Sequence, residues 1–224
     1  MNSPNTEKMT NFNIKIVSDT VCPWCYVGKR RLDRAIELYR QTQPNDTFNI
    51  SWAPFYLDPT SPAIGVPVKE RTAQKFGASR VEMMMQHLAA VGREEDIEFS
   101  FNGRIGNTRD SHRLIQLGKT KGPEIESRVV AELFKSYFEG EGDITSHEML
   151  LAAAEKAGLE PAETKDWLET GKGGAEVDRE VQEAYAKNIH GVPNFTIQGA
   201  YQIDGAQDPQ AFLAAFKKVK AADQ

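Results

Sequence analysis

The chain contains two cysteines, and they lie close together in the sequence Cys22-Pro23-Trp24-Cys25. A short apolar stretch precedes the pair, and residues with helical spacing follow it. Two cysteines with this spacing on the first turn of a helix come within reach of a disulfide bond, with one sulfur near the helix N-terminus. This arrangement is typical of a dithiol that forms and breaks a disulfide.

The two thiols are predicted to have different roles. A thiolate is the species that attacks a disulfide, and the free amides at a helix N-terminus stabilise negative charge. We therefore expect Cys22 to attack, and Cys25, one turn further along, to resolve the mixed disulfide that Cys22 forms. Pro23 and Trp24 lie between the cysteines and are expected to tune the redox potential.

The alternatives for this pair are half of a zinc site or two unrelated core cysteines. Zinc normally takes four ligands, but the chain has no second cysteine pair and its histidines are scattered singly. The position of the pair between a predicted strand and a predicted helix favours the redox interpretation over unrelated packing. We therefore predict no metal site.

The composition is typical of a globular protein of 224 residues, with 40% hydrophobic and 26% charged residues. A net charge of −5 argues against nucleic-acid binding, which needs clustered Lys and Arg, and no apolar stretch approaches the length of a membrane span. Residues 1–11 are polar and do not resemble a signal peptide, so we expect a disordered tail and a cytoplasmic protein. In that reducing compartment the disulfide is expected to be transient.

The hydrophobic pattern predicts an α/β fold with helices inserted into it. Alternating apolar residues predict strands over 12–18 and 48–52, and helical spacing predicts a connecting helix over 23–41. A strand–helix–strand unit of this length pairs its strands in parallel. The C-terminal part is predicted to contain a helix, a hairpin and a last helix, over about 175–188, over 194–204 and from 208 onwards.

The region between these outer pieces is predicted to be mostly helical, and it ends at the glycine-rich segment Gly171-Lys172-Gly173-Gly174. The outer pieces are too small to form separate domains. We therefore expect one α/β domain made of residues 12–60 and 175–224, with a helical insertion over residues 61–174.

The segment Val17–Gly28, with the sequence VSDTVCPWCYVG, resembles the active-site segment of the DsbA-like thioredoxin-fold oxidoreductases. The most similar branch is the FrnE-like proteins, which are related to 2-hydroxychromene-2-carboxylate isomerase and the kappa-class glutathione transferases. The resemblance covers residues 12–219 and implies a thioredoxin fold with a large all-helical insertion. Three further stretches carry it, namely Asn107-Thr108 with Ser111-His112-Arg113-Leu114, Gly191-Val192-Pro193, and Gly205-Ala206-Gln207.

The resemblance also implies roles for residues far from the cysteines. The Val192–Pro193 peptide bond is expected to be cis and to lie against the cysteine pair, although X–Pro bonds are more often trans. This loop is expected to leave the backbone of Val192 free to pair with an extended substrate. Asn107 and His112 are candidate substrate-binding residues in the cleft beside the helical insertion. The alternative is a helix cap at Asn107 and a core histidine at His112.

The predicted function is a thiol–disulfide oxidoreductase or isomerase that acts on a thiol or disulfide of a protein or small molecule. No tightly bound cofactor is expected, and glutathione is a candidate co-substrate. One alternative is a glutathione-dependent isomerase or kappa-type transferase, although those relatives typically carry Ser at the position of Cys22. Another is a non-catalytic factor that holds a hydrophobic polyketide. Both a monomer and a homodimer remain open.

Overall fold

The computed structural model describes residues 8–223, and its sheet begins with the two strands that alternating hydrophobicity predicts. β1 (Asn11–Ser18) and β2 (Thr47–Pro54) pair in parallel along their whole length. α1 (Pro23–Arg40) connects them and begins directly after Cys22. Pro23 suits the first helical position, where a backbone N–H has no partner within the helix. The predicted strand–helix–strand unit is confirmed.

The middle of the chain is helical, as predicted, and it also contains a small antiparallel sheet of β3 (Val66–Pro67) and β4 (Arg104–Ile105). Neither strand was predicted, because strands of two residues are too short to show alternation. The helices of this region are α2 (Val68–Phe76), α3 (Ala78–Glu94), α4 (Arg109–Lys121), α5 (Pro123–Phe138), α6 (His147–Ala157) and α7 (Pro161–Glu169).

The C-terminal part completes the main sheet. Its elements are α8 (Gly174–Ala186), β5 (Asn194–Ile197), β6 (Tyr201–Asp204) and α9 (Pro209–Asp223). β5 is antiparallel to both β1 and β6, which gives a four-stranded sheet of order β2-β1-β5-β6. The mixed sheet with its many helices confirms the expected thioredoxin fold with a helical insertion.

One hydrophobic core connects the sheet with the helical insertion. Phe12 of β1 packs against Phe216 of α9, with 5.2 Å between ring centroids, on the face that α1 also covers. Tyr26 of α1 stacks on Phe134 of α5 at 5.2 Å, so α1 contacts both the sheet and the insertion. The boundaries of the insertion, residues 61 and 174, stay a prediction. No helix within residues 8–223 is long and apolar enough to cross a bilayer.

The segment directly before β1 is ordered where the structure describes it. The sequence predicts a disordered tail over residues 1–11, of which residues 1–7 lie outside the described residues. Thr10 is buried and donates its N–H to Asp46 Oδ1 at 2.8 Å, and Lys220 Nζ donates to the same oxygen at 2.8 Å and to the Lys8 carbonyl at 2.7 Å. For residues 8–11 the prediction is wrong, because a buried ion pair between distant parts of the chain holds them.

The middle of α1 packs closely against the chain that enters β5. A methyl group at Gly28 would lie 3.0 Å from Phe195 Cζ and 3.1 Å from Pro193 Cγ, which is closer than ordinary van der Waals contact. Phe195 is fully buried and packs edge-on against Phe212, with 4.9 Å between ring centroids. The absence of a side chain at Gly28 therefore sets how closely the helix that carries the cysteines approaches Pro193.

A buried carboxylate connects α5 to the outer strand β2. Glu126 is 2% exposed and accepts the backbone N–H of Trp52 at 3.0 Å. The neighbouring Ser127 Oγ accepts the indole N–H of Trp52 at 3.2 Å. Burial raises the pKa of Glu126 to about 7. The hydrogen bond between α5 of the insertion and β2 therefore depends on whether Glu126 is protonated.

Gly28→Ala is expected to lower the free energy of unfolding. Helix propensity alone favours Ala by about 1 kcal/mol, but overpacking a closed core costs about 1–3 kcal/mol, so we expect a net destabilisation. Urea unfolding measures the change. Gly191→Ala, in the loop before β5, is the control, because a methyl group there meets no atom within 4 Å. Equal loss of stability in both variants would contradict this packing argument.

Glu126→Gln is expected to remove part of the pH dependence of stability. A glutamate in the unfolded chain titrates near about 4.3, whereas folded Glu126 titrates at about 7. A carboxyl whose pKa is raised by folding destabilises the protein as pH rises between these values. The variant keeps an acceptor for the Trp52 N–H but carries no charge.

Urea unfolding should show Glu126→Gln more stable than the wild type at about pH 8, by an amount on the order of 2 kcal/mol, and similar to it at about pH 5. Glu124→Gln, on the exposed side of the same helix, is the control and should follow the wild type. A Glu126→Gln variant that retains the wild-type pH profile is the outcome that refutes the assignment.

Candidate active site

The structure brings Cys22 and Cys25 together at the N-terminus of α1. Both are free, buried thiols that approach to 3.4 Å. Cys22 has an extended backbone and stands just before the helix, and its carbonyl accepts the N–H of Cys25 at 3.0 Å. The N–H of Cys22 in turn donates to the Asp19 carbonyl at 3.0 Å, which fixes the turn between β1 and α1. The two sulfurs are close enough for a small side-chain rotation to form a disulfide.

The two thiols differ in their surroundings. Cys22 lines a cavity, whereas Cys25 is 1% exposed and lies behind it. Burial raises the pKa of the Cys25 thiol, and the adjacent Cys22 raises it further, against smaller opposing effects of Ser18 and Asp19. Cys25 is therefore held as a neutral thiol while Cys22 faces the space that a substrate can enter.

The Val192–Pro193 loop lies beside the cysteines, and its peptide bond is cis. The Cys22 thiol donates to the Val192 carbonyl, with 3.6 Å between sulfur and oxygen. The Pro193 carbonyl accepts the N–H of Gly205 at 2.8 Å, so the loop is held by the turn after β6. The structure thus brings together predicted site residues from both ends of the chain.

Pro23 and Trp24 form part of the cavity wall next to Cys22. Trp24 is 37% exposed, which places it where a docking molecule would contact it. Its ring lies 6.0 Å from the ring of His87 on α3, measured between centroids. The motif therefore meets the helical insertion at this point.

Asn107 and His112 lie apart from the cavity wall. The Asn107 side-chain oxygen accepts the N–H of Arg109 at 2.9 Å, which forms an Asx-type turn that leads into α4. His112 is 3% exposed, and its Nε2 lies 3.2 Å from the Phe55 carbonyl and 3.4 Å from Asp19 Oδ1. Neither residue lines the cavity, and their predicted substrate contacts stay a prediction.

Asp19, in the turn between β1 and α1, is a further functional candidate. It is 1% exposed and lines the cavity beside Cys22. Its Oδ2 accepts the N–H of Leu57 at 2.9 Å, whereas its Oδ1 has no hydrogen bond within the described residues. A polar residue between a strand and a cysteine motif was the available signal, but its burial depends on the loop after β2.

The cavity beside Cys22 has a volume of about 350 Å³ and lies between the motif and the helical insertion. The family resemblance implies a cleft beside the helical insertion, but no local pattern predicts its far wall, which comes from α2, α3 and α5. Within residues 8–223 no three His, Cys, Asp or Glu side chains are grouped as metal ligands. The larger apolar residues of the wall include Leu57, Phe76, Met84, Met85, Leu88 and Phe138.

Comparison with known proteins agrees with this architecture. A curated relative, the protein YwbO of Bacillus subtilis, is 30% identical over 208 residues, which cover 91% of this chain and 94% of the relative. The crystal structure of a probable DsbA oxidoreductase from Streptomyces coelicolor is 27% identical and has a TM-score of 0.83, covering 93% of this chain and 89% of that one.

A more distant structure shares the fold. The cytosolic disulfide reductase DsbM of Pseudomonas aeruginosa, solved with GSH, is 14% identical with a TM-score of 0.58, covering 93% of this chain and 96% of that one. A family model described as a DSBA-like thioredoxin domain matches residues 13–217. That match includes the cysteine motif, the helical insertion and the Val192–Pro193 loop. The chain therefore belongs to the DsbA-like thioredoxin family.

Proposed function

We propose that this protein is a thiol–disulfide oxidoreductase or isomerase in which Cys22 attacks and Cys25 resolves. The observation that carries the proposal is the asymmetry of two adjacent free thiols, since only Cys22 faces the cavity and the Val192 backbone. Membership of the DsbA-like family supports the same class of chemistry.

The reaction proceeds by two exchanges between sulfur atoms. The Cys22 thiolate attacks one sulfur of a substrate disulfide, the substrate S–S bond breaks, and the departing thiolate takes up a proton. Cys25 then loses its proton and attacks the Cys22 sulfur of the mixed disulfide, which releases the second substrate thiol. The protein pair is oxidised by two electrons and the substrate is reduced, and the reverse sequence oxidises a dithiol substrate.

The environment of Cys25 suits the second exchange. Burial raises the pKa of Cys25, and the charge on Cys22 is a further cause. Once Cys22 is bound in a mixed disulfide, its sulfur carries no charge, so this further cause disappears. Cys25 is therefore kept protonated before the substrate arrives and ionises more readily at the stage at which it must attack.

The Val192 backbone supplies the docking edge beside the reacting sulfur. An extended stretch of substrate that contains the disulfide can pair with this backbone, as a strand added to a sheet does. Glutathione as a co-substrate belongs to the same proposal. It is supported by the structural neighbour DsbM, which was solved with GSH.

Cys22→Ser is expected to lower thiol–disulfide exchange to the rate of the double Cys22→Ser/Cys25→Ser variant, because the attacking thiol is missing. Cys25→Ser is expected to accumulate a mixed disulfide at Cys22, because nothing resolves it. Reaction of each reduced variant with hydroxyethyl disulfide, followed by acid quench and peptide mass spectrometry, measures both effects.

The assignment of roles depends on which cysteine carries the adduct. Unchanged exchange in Cys22→Ser, or an adduct that forms on Cys25 as fast as on Cys22, would show that the two thiols do not divide the work in this way. Circular dichroism of both variants serves as the folding control.

A further inference from the structure

We propose that the disulfide attacked by Cys22 belongs to a small, largely apolar molecule with one anionic group, which enters the cavity beside α2 and α3. This inference rests on the proposed function of the cysteine pair and narrows its substrate class. A folded protein presenting an exposed disulfide is the competing substrate.

Access to the reacting sulfur favours a small molecule. Cys22 is 3% exposed and opens onto a cavity of about 350 Å³, a volume suited to a compact organic ligand. Met84 and Leu88 of α3 and Phe76 at the end of α2 line the same cavity as Cys22. A folded protein would have to place its disulfide inside this space to reach the sulfur.

Helix α2 packs weakly against the rest of the protein, whereas buried Val81 and Met85 anchor α3. No residue of α2 is buried, and the turn to α3 is Gly77 with a positive φ of 89°. Movement of α2 therefore exposes little apolar surface that was buried before. A ligand that fills the cavity would contact the side of Phe76 that faces the cavity.

The charges of the cavity wall indicate how the ligand is oriented. Arg71 of α2 donates to Asp58 Oδ2 at 2.7 Å, and this pair carries no net charge. Lys75, one turn further along α2, lies over the Phe76 ring at 5.8 Å and helps to lower the pKa of Asp58, so the three charged groups together carry one net positive charge. The carboxyl group of Asp19 lies beside Cys22. An anionic group is therefore attracted to Lys75.

The test compares four disulfides with the reduced wild-type protein. They are 5,5′-dithiobis(2-nitrobenzoate), which is aromatic and anionic, 2,2′-dithiodipyridine, which is aromatic and uncharged, glutathione disulfide, which is anionic and polar, and insulin. Each second-order rate constant is divided by that of dithiothreitol with the same disulfide, so that intrinsic reactivity cancels. The normalised constant should be highest for the aromatic anion and about tenfold lower, or more, for insulin.

Two lysine variants isolate the charge. Lys75→Gln should lower the ratio of the rate constant with the aromatic anion to that with the uncharged aromatic disulfide about threefold, as expected for one exposed ion pair. Lys69→Gln is the matched control, because Lys69 is exposed on the same helix but does not line the cavity, and its ratio should equal the wild-type ratio. Urea unfolding confirms that both variants fold.

The outcomes separate this inference from the proposed function. Normalised constants that are equal for all four disulfides, or highest for insulin, would overturn the inference while leaving the oxidoreductase function in place. The same ratio in Lys75→Gln and Lys69→Gln would overturn the anionic group. If the proposed function itself is wrong, exchange of the wild-type protein with every disulfide will be no faster than exchange of Cys22→Ser.

Discussion

The close approach of α1 to the loop before β5 is the contact on which the site depends. Gly28 leaves room for Pro193 and Phe195, so the first turn of α1 comes near the Val192 carbonyl. The Cys22 sulfur can then face both the backbone of the loop and the cavity. A bulkier residue at position 28 would move Cys22 and Cys25 away from the Val192 backbone, even if the strands of the sheet stayed paired.

The helical insertion determines the surroundings of the two thiols. Tyr26 packs on Phe134, and Trp24 meets His87, so helices of the insertion stand on both sides of the motif. They bury the thiols and create an apolar cavity over Cys22. Burial penalises charge on Cys25 in the reduced protein, and an enclosed reacting sulfur restricts which molecules reach it. Burial by the helical insertion therefore accounts both for the difference between the two thiols and for the restricted access to Cys22.

Local patterns in the sequence were sufficient to predict β1, α1 and the position of the cysteine pair between them. The alternation that defines β1 and the helical spacing after Cys22 depend on neighbouring residues only, and the structure reproduces both. The contact of Cys22 with Val192 spans 170 positions, and it was expected through the family resemblance rather than through any local pattern. His112 shows the limit, because its packing against Asp19 depends on a fold that no spacing encodes.

The composition of the cavity wall could not be predicted for the same reason. The wall combines side chains from a loop, α2, α3 and α5, and apolar residues on a helix look alike whether they face a core or an enclosed space. The two-residue strands β3 and β4, which lie at the start of α2 and before α4, also leave no periodic signal. The cavity wall is thus the part of the site that only the assembled structure reveals.

The most direct test of the central claim is whether Cys22 and Cys25 interconvert between a dithiol and a disulfide. Equilibration in a series of glutathione redox buffers, followed by acid quench, alkylation and mass spectrometry, measures the oxidised fraction at each potential. We predict a single two-electron transition in which both cysteines become protected from alkylation together. Two thiols that remain open to alkylation at every potential, or that bind glutathione separately without joining, would contradict the account.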